Sequence, residues 1–357
     1  MCGMSDSQLP TAELSPASPS LGSRVWPWVK WGLFGLVIWF VSRQARDMWR
    51  DLEGKSLVID LKAFALCALC TLLAWFPSIW FWRWLLVELG VASPWFPTIH
   101  SYLLGHLGKY VPGKATVIVI RTALLRKFGL RPAVGAFTVT LETLTYMAAG
   151  VATVAMLAPY ASVNVPKLEW LRMLAERPAW GIGVALVVTL AGIVGLSLSS
   201  RQFVTLASRM AERRGDGNGV LEHLPWYVVP CGFVLFLAAW WIQGLGLGLA
   251  ILAVSPTDFA WGDWPRWTGA AAIAMVGGFV ALFAPGGLGV REALTLALLS
   301  NLEPGVAVLV TVVWRGASLV GELVYTAIFT LVDRSLPFEQ STRGEYPTSD
   351  RAKAGAE

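Results

Sequence analysis

The sequence predicts an all-α, polytopic helical membrane protein, and three observations lead there. Hydrophobic residues make up 55% of the 357 positions and charged residues only 14%, whereas a soluble domain carries about 25% charged residues. The mean hydropathy is +0.59. Apolar runs of about 20 residues recur along the chain, the length needed to cross a hydrocarbon core about 30 Å thick. Together they predict about 7–8 membrane helices in a single membrane domain, 24–333, flanked by two polar tails.

Residues 1–23 are rich in Ser and Pro and hold no apolar run, so a disordered tail is expected. A signal peptide would need a basic start followed at once by a short apolar region, and neither is present. The first span is expected at 25–42. A charged, partly amphipathic segment, 43–62, is expected near the interface. The second span, 63–86, carries Pro77 as a kink and Arg83 near one end. Its tryptophans Trp75, Trp80, Trp82 and Trp84 suit an aromatic belt at a membrane surface. Further spans are expected at 133–157, 179–198, 227–254, 268–283 and 306–332, with a short helix at 290–300. Residues 334–357 are polar and read as a disordered C-terminal tail.

Lys and Arg placement favours both termini on the cytoplasmic side, although the basic residues of 43–62 argue the other way. An even number of crossings then requires one apolar stretch to enter and return on the same side. The net charge of +5 is ordinary for loops facing anionic lipid. The basic residues are scattered between spans, so nucleic acid is excluded as a partner. Cys67 and Cys70 form a C-x-x-C inside an apolar span with no second ligand pair. They read as small hydrophobes rather than a metal or redox site, and no cofactor is expected.

The informative stretch is "GGFVALFAPGGLGVREALTLALL". It starts and ends as an apolar span, breaks at Pro285-Gly286-Gly287, and then places Arg291 beside Glu292. Unpaired backbone in hydrocarbon costs several kcal/mol per group, about 2–7 by reference state, so such a break must face protein or a wet interior. The helix restarting near Gly289 would offer free N–H donors and a partial positive charge, an anion site. A second break stands at Pro112-Gly113 within "GKYVPGKATVIVIRTALL", again followed by an apolar helix, here carrying Arg121. Glu142 follows Pro112 at the same spacing as Arg315 follows Pro285. Two interrupted elements with matching downstream charges suggest an internal duplication and re-entrant helices, the pattern of a transporter's binding site.

A charge at membrane depth persists mostly when paired or functional. Arg121, Glu142, Arg291, Glu292 and Arg315 are the candidate binding residues. For Glu142 and Arg315 a structural pair between helices competes with a role in holding a headgroup. Glu292 has a cation to find, with Arg291 and Arg315 the candidates. Glu322 reads as support for Arg315, Arg83 and Lys30 as snorkelling side chains. His106 fits either a titrating group or a hydrogen-bonded turn histidine.

The segments "APGGLGVREALTLAL", "VTVVWRGASLVGE", "GKYVPGKATVIVIRTALL" and "VTLETLTYMAAGV" resemble the transmembrane region of lysylphosphatidylglycerol synthases and their stand-alone, flippase-like relatives. The resemblance runs from about residue 26 to residue 332. It is most specific at Pro-Gly-Gly-Leu-Gly, at the carboxylate Glu292 and at the arginine Arg315. It implies a helical membrane domain with re-entrant helices that moves polar lipids between leaflets of the bacterial inner membrane. Some relatives sit beside polyprenyl-linked sugar pathways, which implies a glycosyltransferase neighbour.

The synthases add a large soluble aminoacyl-transfer domain, and only a polar tail follows here, so that activity is not expected. No nucleophile–base pair, metal-ligand set or phosphate loop is present in the sequence. The leading expectation is a non-enzymatic translocator of an anionic or polyprenyl-phosphate lipid. The alternative is a membrane enzyme or scaffold subunit in glycolipid or cell-envelope lipid assembly.

Overall fold

The structure, a computed structural model, describes residues 59–110, 115–157, 160, 178–213, 224–281 and 287–335. The described residues form α-helices and short 3-10 turns, with no strand. The expected first span at 25–42, most of the interfacial segment, both tails, and Pro112, Gly113, Pro285 and Gly286 lie outside the described residues.

In chain order the helices are α1 (Leu61–Leu73), α2 (Phe76–Glu88), α3 (Trp95–Leu107), α4 (Ala115–Leu125), α5 (Pro132–Leu157) and α6 (Pro178–Arg213). They continue with α7 (Val228–Val254), α8 (Trp264–Val280), α9 (Val290–Leu298) and α10 (Pro304–Ser335). Five stretches are long and apolar enough to cross a membrane: Leu61–Glu88, Pro132–Leu157, Ile182–Gln202, Val228–Val254 and Pro304–Val332. Each coincides with a span expected from hydropathy. The expected span at 268–283 falls on α8, which with 17 residues is not among these five stretches; it begins earlier because Pro265 suits a first helical turn, where its missing N–H costs nothing.

The kink expected at Pro77 is a break one turn earlier, between α1 and α2. Proline clashes with the carbonyl four residues before it, here that of Leu73, the last residue of α1. The chain closes that turn with Trp75 N–H donating to Leu72 O (3.0 Å). The break turns Trp75 against His106, with ring centroids 4.5 Å apart.

Helix α7 is the axis of the bundle, packed against α1, α2, α5, α6, α8 and α10. It is apolar on all sides, as a helix surrounded by other helices must be. Phe233, Phe236, Trp240 and Leu247 of α7 are fully buried. Around this axis stand two similar units. In one, α3 packs on α4 and α4 on α5; in the other, α8 packs on α9 and α9 on α10. In each, a helix leads to an interruption, then a short helix of 11 or 9 residues, then a long one. The second interruption is non-helical at Ala281 and turns through Gly287 (φ +71°) and Gly289 (φ +82°). Those φ values are easy for glycine and costly for residues with a Cβ. The first unit stops at Tyr110 and restarts at Ala115.

Candidate functional site: a charged interior

Arg121 of α4 and Glu142 of α5 form a buried ion pair, Nη1 donating to Oε2 at 3.0 Å, with side chains 3% and 6% exposed. Tyr102 of α3 donates its hydroxyl to the other carboxylate oxygen (3.2 Å). The guanidinium lies over the Tyr102 ring at 3.7 Å and over Trp82 of α2 at 5.1 Å. Trp82 Nε1 in turn donates to Thr138 of α5 (3.1 Å). Four helices therefore meet on one ion pair. Its charges are compensated by hydrogen bonds and aromatic faces, which is what makes burial of a charge tolerable.

Glu292 and Arg315 form the second ion pair, with Arg315 Nε 2.7 Å from Glu292 Oε1. The other oxygen of Glu292 accepts from Gly289 N–H at 2.7 Å. At the start of α9 the Gly289 donor is therefore taken by the chain's own carboxylate. The positive φ of Gly289 and a carboxylate three residues on make that bond possible, as in a capping box. Arg315 keeps Nη2 buried with no hydrogen-bond partner among the described residues.

The third group is one the sequence did not join. Lys109, in the turn after α3, donates to Glu322 of α10 and to His106 Nε2, the latter at 2.8 Å. His106 Nε2 also lies 3.7 Å from Glu322 Oε1, and Lys109 Nζ stands over the Trp75 ring at 5.5 Å. Glu322, expected to support Arg315, serves Lys109 instead. It lies two helical turns beyond Arg315 and so on the same face of α10, but opposite a different partner.

Arg291 links these groups. Its stem lies against Gly278 of α8 and Gly287, where a Cβ on either glycine would collide with it. It is in electrostatic range of His106, Lys109 and Tyr146; Tyr146 is also in range of Glu142, and Lys109 of Arg315. Arg121 and Arg291 are thus both within electrostatic range of His106, which with Lys109 and Glu322 stands between the two ion pairs. In that group Lys109 pairs with Glu322, Arg121 with Glu142 and Arg315 with Glu292. Trp75 and Trp82, expected in an aromatic belt, are instead buried against this group, and Tyr102 gave no sequence signal, because an aromatic residue in an apolar run looks like core.

The two units share a construction. Arg121 of α4 lies against Gly105 of α3 as Arg291 of α9 lies against Gly278 of α8, and a Cβ on either helix glycine would meet the arginine Cγ. In each unit the short helix is ion-paired to the following long helix. The polarity is reversed: arginine to glutamate in the first, glutamate to arginine in the second.

Other residues singled out from the sequence lie outside this group. Arg83 donates Nε to Ser93 O (2.8 Å) and lies over Trp95 at 4.3 Å, near the end of its helix. Cys67 and Cys70 are free, and the Cys67 thiol donates to Gly246 O (3.1 Å). Among the described residues no cluster of His, Cys, Asp and Glu could hold a metal ion.

A bundle of apolar helices closed around a charged interior defines an integral membrane domain. The sequence pattern of the lysylphosphatidylglycerol synthase transmembrane region matches residues 28–325, and the chain belongs to that family. Among curated proteins, none matches the chain.

Proposed function

We propose that the protein is a non-enzymatic translocator that carries an anionic phospholipid or a polyprenyl-phosphate-linked lipid between leaflets. The observation that carries this reading is the buried Nη2 of Arg315, which has no hydrogen-bond partner among the described residues. A buried donor left unpaired is costly, and an anionic headgroup would accept from it. The family's association with a membrane lipid supports a lipid as the cargo.

Arg121 is engaged on Glu142, Tyr102 and Trp82, so it positions the first unit. Arg291 and Arg315 are the phosphate-facing residues. Arg315 spends Nε on Glu292 and has Nη2 left to give, and a guanidinium presents two parallel donors to a phosphate. The two interrupted units act as re-entrant elements that meet at this interior, in an inner membrane with both termini cytoplasmic.

The experiment is exchange of fluorescent phosphatidylglycerol between leaflets of reconstituted vesicles, compared for wild type, Arg291→Ala and Arg315→Ala. Loss of exchange in variants that unfold at the wild-type temperature supports the reading. Unchanged exchange in both ends it.

A further inference from the structure

One group in the interior holds a histidine that touches both a cation and a carboxylate. His106, Lys109 and Glu322 touch one another across α3 and α10, walled by the Trp75 ring at 4.5 Å and the Tyr102 ring at 6.1 Å from that of His106. The charged groups facing His106 are Lys109 and Glu322 in contact, with Arg121 of α4 and Arg291 of α9 further off; Lys109 also faces Arg315 of α10. Glu142 of α5 is turned to Arg121 and Tyr102.

We propose that His106, Lys109 and Glu322 are a proton-binding centre that couples uptake of the anionic lipid to uptake of one proton. The proposal rests on the anionic-lipid reading above. It follows from the direction of the hydrogen bonds. An ammonium has three donors and no acceptor, so His106 Nε2, 2.8 Å from Lys109 Nζ, supplies a lone pair. The imidazole is then neutral, with its proton on Nδ1.

A proton arriving at Nε2 consumes that lone pair. Two cationic donors would then face each other at hydrogen-bond distance, an arrangement that like-charge repulsion breaks. Glu322 Oε1 is already 3.7 Å from Nε2, so it turns from Lys109 to the new imidazolium. Lys109 is released on the side where Arg291 and Arg315 lie. The proton adds one positive charge, and the lipid phosphate that binds Lys109 and the arginines adds one negative charge. Proton and lipid therefore enter together and leave together. The His106 side chain keeps 23% of its surface open, so a proton can reach it without unfolding.

The test is calorimetric titration of the full chain in detergent with dihexanoyl phosphatidylglycerol, a soluble phosphodiester lipid. Running it in two buffers of different ionisation enthalpy, near the ordinary histidine pKa of about 6.5, yields the protons taken up per lipid bound. Wild type takes up close to one, and its affinity falls by about tenfold per pH unit on the alkaline side. His106→Gln binds at the weak alkaline affinity at every pH and takes up none. Glu322→Gln leaves Lys109 held by His106 Nε2 alone and removes the carboxylate that takes the imidazolium, so it takes up well under one proton per lipid bound. Binding by wild type without proton uptake overturns the proton centre and leaves the anion site standing. Proton uptake retained in His106→Gln also overturns it. Failure of wild type to bind the lipid overturns both readings.

Discussion

Glu292 holds Arg315 with one carboxylate oxygen and the turn at Gly289 with the other, both at 2.7 Å. One side chain therefore sets the start of α9 and the orientation of an interior arginine. Neither could shift without the other.

Glu292→Gln tests that linkage. The amide keeps one acceptor for Gly289 or for Arg315 but loses the charge. Loss of a helix cap and of a charge-assisted bond costs about 1–3 kcal/mol. The expected outcome is a lower unfolding temperature in detergent together with reduced lipid exchange. Loss of exchange without any loss of stability would separate the two tasks.

Glu142→Gln leaves Arg121 charged and buried with a neutral partner. Breaking a buried pair on one side costs about 3–5 kcal/mol. Arg121→Met combined with Glu142→Leu removes both charges, and most of that stability is expected to return. Thermal unfolding of the single and double variants decides it. A double variant as unstable as Glu142→Gln would mean that shape, not charge, governs this contact.

Arg315→Lys keeps the charge and loses the planar fork. A lysine offers a point charge where the arginine offers Nε to Glu292 and Nη2 beyond it. Exchange is expected to fall with Arg315→Ala and to recover little with Arg315→Lys. Full recovery in the lysine variant would show that charge alone suffices.

Gly278→Ala inserts a methyl group where the Arg291 stem lies. Overpacking of this kind costs about 1–3 kcal/mol, and the arginine must move to relieve it. Reduced exchange is expected even where the fold survives, measured against unfolding temperature. Gly105→Ala makes the matching collision with Arg121 and is expected to act on stability first, since that arginine is tied to Glu142.

The spans were legible because their signal is local. The stretch expected at 133–157 is Pro132–Leu157, and the one expected at 227–254 is Val228–Val254. Apolar length alone decides those. The charged residues of the site were legible for a related reason: each stands where a charge is expensive. Their partners were not, because pairing is set by helix packing rather than by spacing along the chain. Arg121 and Glu142 meet through two helices and the turn between them. Glu322 looked like a companion of Arg315 and instead reaches Lys109, on an element more than 200 residues away. The bond from Gly289 to Glu292 was not legible either, because a carboxylate three residues on can turn to the helix start or away from it.

The opposite polarity of the two short-helix pairs has a consequence for assembly in the membrane. Were both pairs of the same polarity, the short helix of one unit could dock on the long helix of the other during insertion. As built, that error would set Arg121 against Arg315 and Glu292 against Glu142, like charge against like charge in a medium that screens neither. Each short helix is keyed to its own long helix, and the bundle is guarded against swapping its halves.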